Sequence, residues 1–114
     1  MRGTGVAPAE LEDLLLGHAV VKDVAVIGVP DTYSGELPKA FVVLDKNTQG
    51  NYSTVEMLQS YVKGKTTRAK WIDGGIEFLD EIPKSASGKI LRRVLKEGEK
   101  RKLKIEKTKI VSKL

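Results

Sequence analysis

Cysteine is absent from the 114 residues, and histidine occurs once, at His18. The first absence excludes a disulfide scaffold and a thiolate zinc site. The second leaves imidazole-based metal or triad chemistry without a second histidine, so His18, directly after Gly17, reads as a polar loop residue. No apolar run approaches the ~20 residues needed to cross a bilayer. Nor does the N-terminal stretch combine a charged segment with an apolar one, or form an Arg-rich presequence, so no secretory or mitochondrial address is expected there. Aromatics make up only 5% of the chain.

What is present describes an ordinary globular composition, 40% apolar and 31% charged. The length suits one domain with one modest core. The net charge of +5 is unevenly placed. From Met1 to Leu95 there are 12 Lys and Arg against 12 Asp and Glu, whereas Lys96 to Leu114 carries 8 against 3. A neutral body with a basic end is not the electrostatic footprint of a nucleic-acid-binding face. The basic end, "KEGEKRKLKIEKTKIVSKL", also has no aromatic side chain on which a base could stack.

Periodicity and punctuation organise the rest. "VAPAELEDLLLGH" places Pro8 at the start of a helix and Glu10 and Glu12 near its positive end, with Leu11, Leu14 and Leu15 on one face and Gly17 as a stop. "DVAVIGVP" is a continuous valine-rich run and predicts a strand buried on both faces. "DTYSGE" is a loop, and "LPKAFVVL" a second strand. Ser53 and Glu56 fit the capping box of a second helix, with Val55, Leu58, Tyr61 and Val62 at helical spacing and Gly64 as the stop. Trp71 reads as half-buried support for a polar connection, and "IEFLDEIP" contains a short third strand. Ile90, Leu91, Val94 and Leu95 predict a third helix, ending near Gly98. The expected fold is α+β, an α/β sandwich in which a small three-stranded sheet carries packed helices over residues 1–98. Residues 99–114 are expected to form a flexible basic tail.

Three short segments carry chemistry. In "PKSASGKILRR", Lys89 follows Ser85, Ser87 and Gly88. The segment is not a Walker phosphate loop, because Pro83 stands where that pattern needs glycine and Ile90 where it needs serine or threonine. It remains a lightly constrained loop carrying a compact point charge suited to a phosphate or carboxylate, against the plainer reading of a solvated lysine in a first helical turn. Near the N-terminus, Gly3, Thr4 and Gly5 would allow close backbone approach to a ligand, although residues 1–4 equally fit a frayed or expression-derived end. The last three residues, Ser112, Lys113 and Leu114, spell the S-K-L peroxisomal address.

Taken together, "VAPAELEDLLLGH", "DVAVIGVPDTYSGELPKAFVVL" and "LDEIPKSASGKILRR" resemble the small C-terminal domain of adenylate-forming enzymes. That family comprises acyl- and aryl-CoA synthetases, 4-coumarate ligase-like enzymes and beetle luciferases. The resemblance runs from Gly3 to about Lys96. It implies a mobile lid that works with a large N-terminal adenylation domain of the same chain, which binds ATP with Mg and the carboxylic acid. It implies that Lys89 is the catalytic lysine of adenylate formation and that Gly3, Thr4 and Gly5 line the CoA channel, with Ser85, Ser87 and Gly88 as the flexible loop behind Lys89. At residues 2–5 the chain departs from the family's usual pattern, which has an aromatic and a Gln or Arg before Val-x-Pro.

The resulting expectation is the lid of a peroxisomal ATP-dependent acyl- or aryl-CoA ligase, inactive as an isolated fragment and recognised by a peroxisomal import receptor. It has no protein-held metal, no nucleic-acid partner and no membrane span. Two alternatives stand beside it: the lid of a luciferase-type oxygenase, and a non-enzymatic interaction module with a basic tail.

Overall fold

In this computed structural model the chain is described over residues 7–33, 35–67 and 71–113, with side chains as far as Ile105. The described backbone falls into two compact units, Met1–Ile82 and Pro83–Leu114.

Within the first unit, Pro8 opens helix α1, Pro8–Leu16, where its fixed φ is already helical and its missing N–H would have had no partner. Gly17 closes the helix, its N–H donating to Leu14 O at 3.1 Å. Leu11 and Leu15, one turn apart, are buried. Glu12 is buried beside them, and its Oε2 accepts the Val26 N–H at 2.8 Å, so this carboxylate docks α1 on the sheet. The connection out of α1 is held by His18, whose Nδ1 accepts the Val20 N–H at 3.2 Å and whose ring meets Tyr61 edge-on at 4.9 Å.

Strands β1, Val21–Asp31, and β2, Gly35–Leu44, form an antiparallel hairpin with Val26 opposite Ala40 and Asp31 opposite Gly35. Gly35 sits at φ +85°, a left-handed conformation that other residues adopt only with strain, and this is what lets the chain reverse. Val24, Ala25, Val26 and Ile27 are buried consecutively, as are Ala40, Phe41, Val42 and Val43. Successive strand residues point to opposite faces, so both faces of the hairpin are covered, as the unbroken apolar runs predict. Strand β3, Ile76–Phe78, joins the other edge of β2 in parallel, with Ala40 opposite Ile76. The sheet order is β1-β2-β3 and the pairing is mixed.

Helix α2, Tyr52–Lys65, lies between β2 and β3 in sequence, as the crossover needed for parallel pairing. The expected Ser53–Glu56 capping box is not what starts it. Asn51 is the N-cap: its extended backbone leads into the helix, and its side chain accepts the Thr54 N–H at 3.1 Å. Thr54 Oγ1 donates to Gln49 O at 2.6 Å, which fixes the entry further. Gly64 does not stop the helix, which runs on to Lys65; a glycine costs about 1 kcal/mol there, while Lys63 and Lys65 favour the negative end of the dipole.

Leu11, Leu15, Leu58 and Val62 from the helices meet Val24, Val26, Ala40 and Val42 from the sheet in one cluster closed by Ile72. Each of the Leu, Ile and Val side chains contributes about 1.5–3 kcal/mol through burial. Trp71 is half-buried at its margin, with Nε1 donating to Thr66 O at 3.4 Å.

The second unit contains α3, Arg92–Lys113. The helix begins two residues later than the Ile90 start that the apolar pattern predicts, and it continues through Gly98, where the pattern ends it. Ile90 is instead paired with Lys84 in an isolated antiparallel bridge. Beyond Gly98 the segment is dominated by Lys, with Glu99 and Glu106 among them, good helix formers that sustain the backbone without an apolar stripe. The expected tail at 99–114 is therefore helical to Lys113.

Candidate functional site: the Lys89 turn

The segment Pro83–Leu91 is a small closed loop. Its outer rung is the Leu91 N–H donating to Pro83 O at 2.9 Å, and the next is the Lys84–Ile90 bridge. Inside these, the Ser85 N–H donates to Lys89 O at 2.9 Å and the Gly88 N–H donates to Ser85 O at 2.9 Å. Ser85 also uses its side chain: Oγ accepts the Lys89 N–H at 3.2 Å and lies 3.0 Å from Ser87 Oγ. Gly88 has φ +88°, and an added Cβ there would meet no atom within 4 Å, so the glycine is required by backbone conformation and not by space.

Ser85, Ser87 and Gly88, expected as the flexible loop behind Lys89, are the frame of a hydrogen-bonded turn. The signal was present in the sequence: serine followed three residues later by glycine is the pattern of a type I turn closed by a left-handed residue. The apolar residues after Lys89 predict a helix from Ile90 instead. Since α3 starts only at Arg92, Lys89 is not in a first helical turn.

Lys89 itself is exposed, and among the described residues its ammonium has no hydrogen-bond or ion-pair partner. Its surroundings in sequence are one-signed: Pro83 to Arg93 contains Lys84, Lys89, Arg92 and Arg93 and no Asp or Glu. An exposed ammonium on a rigid turn, with no carboxylate in the same segment, is suited to an external anion. Two clefts among the described residues lie elsewhere. One of about 300 Å³ is lined by Leu44, Asp45, Phe78 and Asp80, another of about 390 Å³ by Tyr52, Gln59 and Lys63, and neither includes Lys89. Among the described residues no group of three His, Asp or Glu is placed to hold a metal.

The remaining expected site residues are not brought to this turn by anything described. Gly3, Thr4, Gly5 and Leu114 lie outside the described residues. Ser112 and Lys113 close the backbone of α3, with side chains outside the description. Helix α3 is too polar to cross a membrane, and no described helix is long and apolar enough to do so.

A three-stranded mixed sheet with three helices, the last of them preceded in sequence by a lysine-bearing turn, is the architecture of the small domain of adenylate-forming enzymes. Residues 10–89 match the family model of the AMP-binding enzyme C-terminal domain, a span that closes on Lys89, and the chain belongs to that family. It is 51% identical over 98 residues to the acyl-CoA ligase lcsD of Purpureocillium lilacinum, covering 85% of this chain and 25% of that protein. It is 46% identical over 96 residues to a luciferin 4-monooxygenase of Photuris pensylvanica, covering 84% and 17%. Among solved structures, the acyl-CoA synthetase of Brucella canis superposes with a TM-score of 0.79 at 38% identity, over 84% of this chain and 18% of that one. The chain thus spans a quarter or less of the length of these relatives.

Proposed function

We propose that this chain is the lid domain, residues 1–98, of an ATP-dependent acyl- or aryl-CoA ligase, with Lys89 as the residue that serves adenylate formation. The observation that carries the reading is the Lys89 ammonium, exposed and without a partner among the described residues, on a hydrogen-bonded turn at the end of the segment matched by the family. In adenylation a carboxylate oxygen attacks the α-phosphorus of ATP, and the bond to pyrophosphate breaks. Two anions must meet, and an ammonium placed between them stabilises the charge they share in the transition state. The turn holds the Lys89 backbone, so that the side chain arrives oriented when the lid docks on the N-terminal adenylation domain. Rotation of the lid withdraws it afterwards and frees the site for thioester formation with CoA, whose channel Gly3, Thr4 and Gly5 would line. ATP, CoA and the carboxylic acid are bound chiefly by the N-terminal domain, so the isolated chain is catalytically silent.

In the full-length enzyme, Lys89→Ala lowers acyl-adenylate formation about 10²-fold, as removal of one charge-stabilising donor does elsewhere. Thioester formation from supplied acyl-adenylate is spared. Equal loss in both half-reactions, or in neither, overturns the role of Lys89.

The identity with luciferin 4-monooxygenase favours a second reading, the lid of a luciferase-type oxygenase, which shares the adenylation step. Assaying the full-length chain for light with a luciferin and for thioester with fatty or aromatic acids separates the two. We also propose that Ser112, Lys113 and Leu114, where they form the mature carboxyl terminus, are read by a peroxisomal import receptor. A fluorescent fusion ending in these residues should concentrate in peroxisomes, and removal of Leu114 should disperse it.

A further inference from the structure

We infer that Ser85 is a positioning residue for Lys89, and that its hydroxyl, not merely its backbone, sets the direction in which the ammonium is presented. The inference rests on the adenylation role proposed for Lys89. Ser85 is the one residue of the turn bonded to Lys89 at both backbone ends: its N–H donates to Lys89 O at 2.9 Å, and its Oγ accepts the Lys89 N–H at 3.2 Å. Its carbonyl additionally accepts the Gly88 N–H at 2.9 Å, which places the residue just before Lys89 in its left-handed conformation. Of the bonds Ser85 makes in the turn, the one from the Lys89 N–H and the contact with Ser87 depend on the side chain.

The N–H and Cβ of Lys89 share its Cα. Loss of the acceptor at Oγ frees rotation about the bonds that aim Cβ, while the Ser85 N–H to Lys89 O bond keeps the loop closed. The site is exposed, so water satisfies the released N–H and the fold loses little. What is lost is orientation, which matters only when a long side chain must put its charge within hydrogen-bond reach of a transition state. A lysine has four rotatable bonds of its own, and a fixed backbone at its root reduces the conformations it must search.

The test uses the full-length enzyme, with Ser85→Ala, Ser85→Cys and Ser85→Thr made alone and in a Lys89→Ala background. Ser85→Ala should lower kcat for acyl-adenylate formation about tenfold, with KM for ATP and acid and the melting temperature unchanged. Ser85→Cys, similar in size but a weak acceptor, should fall in the same direction and serves if the alanine variant does not fold. Ser85→Thr, which keeps the hydroxyl, should restore the rate. In the Lys89→Ala background the serine substitutions should add less than about twofold, because a positioning residue has nothing left to position. An undiminished rate in Ser85→Ala beside a large loss in Lys89→Ala overturns the inference and leaves the lysine's role intact. A further tenfold loss in the double variant also overturns it, since Ser85 would then act by itself. No effect of Lys89→Ala would overturn the role of the lysine and this inference with it.

Discussion

Segments 7–82 and 83–105 use their residues in opposite ways. The first buries Leu11, Leu15, Val24, Val26, Val42, Leu58 and Val62 almost completely, and two of its polar side chains, Glu12 and Thr54, are buried with hydrogen bonds. The second buries only Leu95 among its described side chains and leaves Val94, Leu103 and Ile105 exposed. Its order comes from backbone bonds in the Ser85–Lys89 turn and from a helix composed of strong helix formers. The contrast separates stability from chemistry. A core residue is held by many neighbours, whereas the role proposed for Lys89, meeting an anion on another domain, needs its charge exposed and its root fixed.

That separation can be broken experimentally. The largest expected effect is on the core: Leu58→Ala, at a side chain with no exposed surface, should destabilise the chain by about 2–5 kcal/mol in chemical denaturation. Adenylation per folded molecule should stay unchanged in the full-length enzyme. Lys89→Ala is the mirror image, about 10²-fold in adenylation with an unchanged denaturation midpoint. A shared loss of stability and rate in either variant would blur the division. Glu12→Ala should cost about 1–3 kcal/mol, since it leaves the Val26 N–H without this acceptor inside the fold, while Glu12→Gln should cost much less because the amide oxygen can still accept. Equal losses in the two variants would mean that the charge, not the acceptor, is what matters. The smallest effect sharpens the account of α3. Gly98→Ala, at a position where an added Cβ meets nothing within 4 Å, should stabilise the helix by about 0.4–1 kcal/mol, read as greater helicity by circular dichroism.

Much of the first segment is legible in its apolar spacing. Leu11 and Leu15 mark the buried face of α1, and the unbroken runs around Val26 and Val42 mark strands covered on both sides, because burial imposes periods that a sequence displays directly. Ends are less legible. Asn51 and Ser53 are both good helix caps two residues apart, and composition alone does not choose between them; the bond from Thr54 Oγ1 to Gln49 O, a tertiary detail of the preceding loop, settles the start at Tyr52. Glu12 looks like an exposed first-turn acid until β1 is placed beside α1 and offers the Val26 N–H.

The Lys89 turn shows the same division at the site. The residue types alone determine that a lysine follows a serine- and glycine-containing loop with no acid between Pro83 and Arg93, and that this is not a phosphate cradle. Only the three-dimensional fold decides that the loop is closed, that Ser85 bonds Lys89 at both backbone ends, and that α3 begins after the site at Arg92 and runs unbroken past Gly98. The reason is physical. Periodicity and charge are properties of residues in order, whereas a hydrogen bond between Ser85 and Lys89 exists only once Gly88 has turned the chain back on itself.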